Sequence, residues 1–189
     1  MINKIAHLAD IHIRKTPTRN DEYQDVFKRT LASLKKENPD RIVIVGDLVH
    51  DYLDLQGEQL IMAHWFLSEL IKIAPVRITR GNHDCRKKNL KRVDSIKAIV
   101  KTLGDVNIKY YDNVGFYDDE NITWAVWHHG EKNNNPWKTK EGKKILIDKE
   151  QDARIYIDLF HDPITGCIST TDFEMKSKSY YKMVKKSFI

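Results

Sequence analysis

The chain is poor in cysteine and lacks any long apolar run. Its 189 residues include only two cysteines, Cys85 and Cys167, which cannot form a disulfide framework, so both are predicted to be reduced thiols in a cytoplasmic protein. No run approaches the roughly 20 apolar residues that a membrane-spanning helix requires. Asp10 interrupts the first apolar stretch, which argues against a signal peptide.

The charge balance is basic but not extreme. Lysine and arginine number 32 against 27 acidic residues, a net charge of +5 and a pI of about 9.0. This balance permits nucleic-acid binding without proving it. Arg86, Lys87 and Lys88 form a basic cluster, and lysines also gather over 176–186. Most charge runs are solvated surface, but the position of the first cluster makes its three residues candidates for phosphate-backbone contacts.

Length and hydrophobic periodicity predict one α/β domain. The chain is 41% hydrophobic, which is enough for a sizeable core. Strands alternate with helices in the first half, and parallel neighbours need such long crossovers, so we expect a mainly parallel sheet followed by strands that are partly antiparallel. The predicted strands are 2–9, 41–45, 75–79, 107–111, 113–117, 122–127 and 154–160, the predicted helices are 21–37, 56–73 and 89–103, and 131–143 is predicted to be a polar loop.

Three short polar motifs each follow one of the apolar runs. DIH at 10–12 follows IAHLA, GD at 46–47 follows RIVIV, and GNHD at 81–84 follows VRIT. In an open α/β sheet, ligands bind beyond the carboxyl ends of the strands, so we expect the three motifs to converge. Carboxylate, amide and imidazole groups gathered there predict a metal site that attacks a phosphate ester with metal-bound water.

The chemistry of two-metal hydrolysis suggests a role for each side chain. Asp47 ends a central strand and suits the carboxylate that bridges two metal ions. Asp10 and His12 are placed to reach one ion, and Asn82 offers its amide oxygen to the other. The chemistry of the side chains therefore indicates these four residues as metal ligands.

The GNHD motif also supplies a histidine for the reaction itself. His83 is expected to act on the phosphate or on the leaving group, with Asp84 orienting its ring and raising its basicity. The alternative is an ordinary turn, which Gly-Asn and Asn-His sequences readily adopt. The three motifs in order, each behind a strand, favour the catalytic interpretation.

The order DxH, GD, GNHD resembles the calcineurin-like metallophosphoesterase superfamily. GDLVH at 46–50 resembles the GDLFH-type motif of the SbcD-like DNA-repair nucleases, where general phosphatases have another pattern. Arg19, Glu22 and Phe27 are similar to the R-x-x-E-x-x-x-x-F helix of those nucleases. The resemblance covers most of the chain and is most specific between residues 5 and 84.

The resemblance implies a fold, an activity and partners. The implied fold is an α/β sandwich of two β-sheets flanked by helices. The implied activity is metal-dependent exonuclease and endonuclease cleavage of DNA, with two divalent ions, Mn²⁺ above all. An SbcC-type ATPase subunit and a homodimer are the implied partners. The helices at 56–73 and 89–103 would pack across the dimer axis, although packing on their own sheet explains most of their apolar stripes.

Carried over residue by residue, the resemblance assigns Asp10, His12 and Asp47 to one metal ion. It assigns Asp47 and Asn82 to the other ion. His83 matches the histidine that assists phosphodiester cleavage. These assignments agree with those drawn from the residues themselves.

Two further histidines gain roles from the resemblance. His50 matches a second histidine near the site, with a polar residue at a strand end as its alternative. The family also needs a histidine on a later strand, and His161, in LFHDPITG, is predicted to be that metal ligand. The other candidates are His128 and His129, which follow a strand of their own.

The chain departs from the family pattern in one respect, because no GHxH motif occurs in it. We therefore expect residues 1–189 to be a metallophosphoesterase domain that is incomplete at its C-terminus and lacks a capping domain. A second chain could then supply the missing histidines. Two other functions stay open: a metallophosphoesterase acting on small phosphoesters or phosphoproteins, and an inactive domain that retains partner contacts.

Overall fold

Two β-sheets form the centre of the fold. The computed structural model describes residues 1–15, 19–86, 89, 91–128, 135–148 and 154–161. The strands are β1 (Ile5–Leu8), β2 (Arg41–Val45), β3 (Val76–Thr79), β4 (Ile108–Tyr110), β5 (Gly115–Asp119), β6 (Ile122–Val126) and β7 (Ile155–Leu159). The helices are α1 (Asn20–Glu37), α2 (Gly57–Ile71), α3 (Ser95–Leu103) and α4 (Lys140–Asp148), with 3₁₀ turns at Tyr52–Asp54 and Pro136–Lys138.

The sheet topology confirms the predicted fold class. The first sheet has the order β1-β2-β3-β4 and is parallel throughout. The second has the order β5-β6-β7, with β6 antiparallel to β5 and parallel to β7. The molecule is an α/β sandwich of two sheets flanked by helices.

The central strand β2 packs on both of its faces. Ile42 and Ile44 join the core under the helices, together with Phe27. Val43 and Val45 point the other way, into the core between the two sheets, because successive side chains of a strand alternate between its faces. Burial on both faces explains why RIVIV is a continuous apolar run rather than an alternating one.

Parallel pairing brings the loops after β1, β2 and β3 to one edge of the first sheet. The loop after β7 reaches the same edge, since the His161 ring nitrogen Nδ1 lies 2.9 Å from the carbonyl oxygen of Val45 at the end of β2. The fold thereby gathers the ends of four strands, which is where the sequence motifs lie.

Two element predictions were wrong in part. The helix predicted over 89–103 begins only at Ser95, because the Asp94 carboxylate accepts the Lys97 N–H and caps the helix there. The loop predicted over 131–143 gives way to a 3₁₀ turn and α4, with Thr139 Oγ1 accepting the Gly142 N–H at 3.0 Å. Residues 131–134 lie outside the described part of the chain.

Among the described residues, no helix combines the length and the apolar character needed to cross a membrane. Helix α1 has an acidic first turn, with Asp21 and Glu22, and a basic last turn, with Lys35 and Lys36. These charges match the helix dipole.

A buried ion-pair cluster joins the two sheets at the amino end of β2. The Asp119 carboxylate accepts two hydrogen bonds from Arg41, at 3.0 and 2.9 Å, and two from Arg77, at 2.8 and 2.9 Å. Burial acts to raise the pKa of Asp119, but the hydrogen bonds from both guanidinium groups outweigh it and hold that pKa well below its ordinary value. This carboxylate therefore stays ionised and compensates two largely buried cations.

We expect Asp119→Asn to lower the free energy of unfolding by about 3–5 kcal/mol at pH 7, because it leaves buried guanidinium charge uncompensated. Urea unfolding measures this, with Asp118→Asn as the matched control, since the exposed Asp118–Arg154 pair contributes about 1 kcal/mol or less. A depressed pKa adds stability above about pH 4, which is lost as the pH falls further, so the difference between wild type and Asp119→Asn should shrink in acid. Equal losses from the two substitutions would contradict this account.

Candidate metal centre

Strained backbone marks the loops that carry the first two motifs. Asp10, His12 and Asp47 adopt left-handed φ angles of 52°, 50° and 54°, a conformation that costs an L-residue about 1–2 kcal/mol. The His12 N–H donates to the Asp47 carbonyl at 2.8 Å, and the Asp10 N–H donates to that of Gly46 at 3.3 Å. Such strain is concentrated at functional sites, and here the hydrogen bonds between the two loops maintain it.

One group of side chains combines two carboxylates with a histidine. Asp10, Asp47 and His161 each offer a ligand atom within 4.8 Å of the other two. His161 Nε2 lies 3.1 Å from Asp47 Oδ2 and 3.9 Å from Asp10 Oδ1. Because a carbonyl can only accept, His161 Nδ1 donates to Val45, so Nε2 is the ring nitrogen that faces the carboxylates and would bind a metal ion once it has lost its proton.

A second group contains only histidines. His12, His50 and His83 each offer a ring nitrogen within 4.8 Å of the other two. The His50 and His83 rings stack at 5.3 Å with an interplanar angle of 12°. His83 Nδ1 lies 2.6 Å from the His50 carbonyl oxygen and therefore donates to it. That bond fixes the His83 ring and leaves its Nε2 free, 3.9 Å from Asp47 Oδ2.

Asp47 lies between the two groups. Its Oδ2 is also 3.5 Å from His12 Nε2, and its Oδ1 accepts the His83 N–H at 2.9 Å. Burial acts to raise the pKa of Asp47, but the hydrogen bonds from His161 and His83 lower it below its ordinary value. For His12, burial disfavours the charged imidazolium form and therefore lowers the pKa. An ionised carboxylate beside a neutral imidazole is the state that binds a metal ion.

The prediction that Asp84 orients the His83 ring was wrong. The Asp84 side chain is fully buried, and Oδ2 accepts the N–H groups of Asp47 at 2.7 Å and Gly81 at 2.8 Å, while Oδ1 accepts that of Val49 at 3.1 Å. Burial raises the pKa of Asp84 to about 6. The group that orients His83 is the His50 carbonyl, and Asp84 instead joins the loops after β2 and β3.

The motif glycines permit the close approach of these loops. A Cβ on Gly81 would overlap Asp47 Oδ1, and a Cβ on Gly46 would overlap the His161 ring and lie 2.9 Å from the Gly81 Cα atom. Gly46 also has a φ of 76°, which favours glycine. Both glycines are therefore required by packing against the proposed ligands.

The structure brings six of the predicted site residues together: Asp10, His12, Asp47, His50, His83 and His161. Asn82 is half-buried in the loop between Gly81 and His83. The sequence analysis predicted His161 rather than His128 as the later metal ligand. His128 belongs to neither group of side chains and is buried close to Arg80, where burial lowers its pKa to about 4.

The predicted DNA-contacting cluster is described only at its first residue. Arg86 is exposed and is separated from the GNHD motif by Cys85 alone. Lys87 and Lys88 lie outside the described residues, as does His129. The phosphate-contact role of the cluster stays a prediction.

Sequence reasoning missed the part that Tyr23 plays. Tyr23 lies four residues before the buried Phe27 on α1, at the spacing of a core residue. Its hydroxyl donates to the His12 carbonyl at 2.9 Å and accepts the Arg14 N–H at 3.2 Å. Helix α1 therefore supports the loop that carries Asp10 and His12, a role that no spacing pattern signals.

The family model for calcineurin-like phosphoesterases matches residues 3–183. The chain belongs to this family. Calcineurin-like phosphoesterases are hydrolases that use divalent metal ions, and the carboxylate and imidazole donors of the present site fit such ions. The match extends over both sheets and over every residue of the two groups.

The sequence of this calcineurin-like phosphoesterase is similar to those of three curated proteins. It is 32% identical over 181 residues to an uncharacterized protein of Acanthamoeba polyphaga mimivirus, covering 94% of this chain and 13% of that protein. It is 27% identical over 180 residues to the DNA double-strand break repair protein Mre11 of Methanopyrus kandleri, covering 87% of this chain and 39% of that protein. It is 30% identical over 112 residues to the DNA double-strand break repair protein Mre11 of Archaeoglobus fulgidus, covering 56% of this chain and 24% of that protein. The chain thus spans well under half the length of these curated relatives.

Proposed function

We propose that this phosphoesterase is a DNA nuclease of the SbcD type that hydrolyses phosphodiester bonds with two divalent ions, Mn²⁺ above all. The observation that carries the proposal is the His50–His83 pair. The His50 carbonyl fixes the His83 ring 2.6 Å away, so that Nε2 faces the carboxylates. The similarity to two proteins named for DNA double-strand break repair supports DNA as the substrate.

Five side chains are proposed to hold the two divalent ions. Asp10, His12 and Asp47 would hold one ion, and Asp47, Asn82 and His161 the other. Bound divalent ions polarise the phosphoryl oxygen and supply hydroxide at neutral pH. Asp47, whose pKa is held below its ordinary value, stays ionised and keeps the two binding positions adjacent.

His83 provides the proton that the leaving oxygen requires. Its Nδ1–H is committed to the His50 carbonyl, so only Nε2 can exchange a proton with the substrate. A protonated Nε2 donates to the leaving oxygen, as general acid catalysis requires. The His50 ring stacks on His83 and limits its rotation. Arg86, Lys87 and Lys88 are proposed to contact DNA phosphates next to this histidine.

The proposed partners follow from the same nuclease assignment. They are DNA, an SbcC-type ATPase subunit, a second copy of this chain, and a separate chain that supplies GHxH histidines. A homodimer is supported by exposed apolar side chains around α2 and before α3, where Leu53 and Ile61 are each 72% exposed and Val93 is 59% exposed. Exposed apolar residues of this size favour a protein–protein contact when they form one patch.

Substrate preference tests the proposal. With Mn²⁺, we expect linear DNA and bis(p-nitrophenyl) phosphate to be hydrolysed and the monoester p-nitrophenyl phosphate to be left intact. His83→Ala should lower diester hydrolysis by about 10²–10⁴-fold, because it removes the general acid.

His64→Ala is the matched control, because His64 is exposed on α2 and its removal should leave the rate unchanged. Preference for the monoester would favour a phosphatase acting on small phosphoesters or phosphoproteins. A folded protein that hydrolyses neither diester would contradict the nuclease assignment and favour an inactive domain with partner contacts only.

A further inference from the structure

The metal-binding side chains fall into two sets with no member in common. One is the carboxylate set of Asp10, Asp47 and His161, and the other is the histidine set of His12, His50 and His83. The proposed hydrolysis uses His12 as a ligand and His83 as an acid, but it gives the three imidazoles no joint role. Three imidazoles converging on one point are a ligand set in their own right.

The spacing of the first two rings matches that of ligands on one ion. His12 Nδ1 and His50 Nδ1 lie 3.3 Å apart. Zinc binds imidazole nitrogen at about 2.0–2.1 Å in tetrahedral sites, which places two such nitrogens about 3.3–3.4 Å from each other. The pair is therefore spaced for a shared ion as well as for a hydrogen bond.

The third ring is oriented as metal-binding histidines usually are. His83 donates Nδ1–H to the backbone carbonyl of His50, and a ligating histidine commonly donates its second N–H to a carbonyl in this way. All three rings are only half-buried, so an ion from solvent can reach them and a water can complete the coordination.

We propose that His12, His50 and His83 form a Zn²⁺ site separate from the carboxylate set. Imidazole suits zinc, whereas carboxylate and carbonyl oxygens suit manganese, so the two sets select different ions. Zinc in the histidine set engages His12 and His83 and thereby inhibits hydrolysis. The inhibition rests on the proposed function, but the binding itself does not.

Metal binding without turnover provides the first test. In Asp47→Asn, the carboxylate set loses its central charge, while the amide oxygen still accepts the His83 N–H. Co²⁺ added to this variant should give the intense visible absorption of a tetrahedral ion at one equivalent, and Zn²⁺ should displace it. Asp47→Asn combined with His50→Ala should lose that absorption. His50→Ala removes one of the three imidazole rings but keeps the backbone carbonyl that orients His83.

The matched control is Asp47→Asn combined with His64→Ala, which should keep the absorption, and far-UV circular dichroism verifies that every variant is folded. Absorption that persists without His50, or that is absent from a folded Asp47→Asn, would overturn the zinc site. In wild type, micromolar Zn²⁺ should inhibit Mn²⁺-dependent diester hydrolysis. Tetrahedral Co²⁺ binding in a protein with no hydrolysis at all would reject the nuclease proposal while leaving the zinc site in place.

Discussion

Asp47→Asn is expected to remove metal-dependent hydrolysis almost completely. The Asp47 side chain is 3% exposed, and its Oδ2 lies within 3.9 Å of ring nitrogens of His12, His83 and His161, so this one carboxylate faces all three rings. Loss of a residue that only supports a ligand costs about 10–100-fold in affinity or activity. Loss of the ligand that the two ions would share should therefore exceed about 100-fold.

Calorimetric titration with Mn²⁺ and the rate of bis(p-nitrophenyl) phosphate hydrolysis both measure this effect. Asp25→Asn is the matched control, because Asp25 is exposed on α1 and belongs to neither metal-binding group. It should behave as wild type in both measurements. Unchanged Mn²⁺ affinity in Asp47→Asn would place the ions somewhere other than the carboxylate set.

Asp84→Asn should destabilise the whole site, although the Asp84 side chain is not itself a proposed metal ligand. Its carboxylate accepts the N–H groups of Asp47, Gly81 and Val49. An asparagine keeps one accepting oxygen and turns an NH₂ group toward at least one of these donors. Each buried donor left without an acceptor costs about 1–3 kcal/mol, and we expect a loss of at least that size together with a fall in hydrolysis.

Urea unfolding gives the free energy, and diester hydrolysis gives the effect on the loops. Asp51→Asn is the control, since Asp51 is exposed and caps a 3₁₀ turn by accepting the Leu53 N–H, which asparagine does equally well. It should change the free energy of unfolding by no more than about 0.5 kcal/mol. Wild-type stability in Asp84→Asn would show that these three hydrogen bonds contribute little.

The convergence of the motifs could be predicted because it depends on strand order alone. Helices between β1, β2 and β3 require parallel pairing, and parallel strands end at the same edge. His161 reaches that edge from the second sheet, and LFHDPITG had indicated it. What the sequence could not reveal is which atoms meet there, because the Asp84 carboxylate binds the backbone of a loop 35 to 37 residues away.

Two helix boundaries were predicted wrongly because local sequence signals disagreed. Val93 continues the apolar spacing of α3 toward its amino end, so the predicted helix began too early, and the Asp94 cap decided the boundary. The polar composition of 131–143 predicted a loop, but α4 begins within it at Lys140. Just before α4, the Trp137 ring N–H donates a 2.7 Å hydrogen bond to Asp158 on β7. Both errors arise because tertiary contacts and caps outweigh average composition.

The most direct test of the nuclease assignment is the degradation of end-labelled linear double-stranded DNA by the wild-type chain with Mn²⁺. The nuclease proposal predicts progressive loss of full-length DNA that chelation of the metal stops and that His83→Ala abolishes, whereas His64→Ala leaves it unchanged. DNA that stays intact in the presence of a folded, Mn²⁺-binding chain would contradict the account.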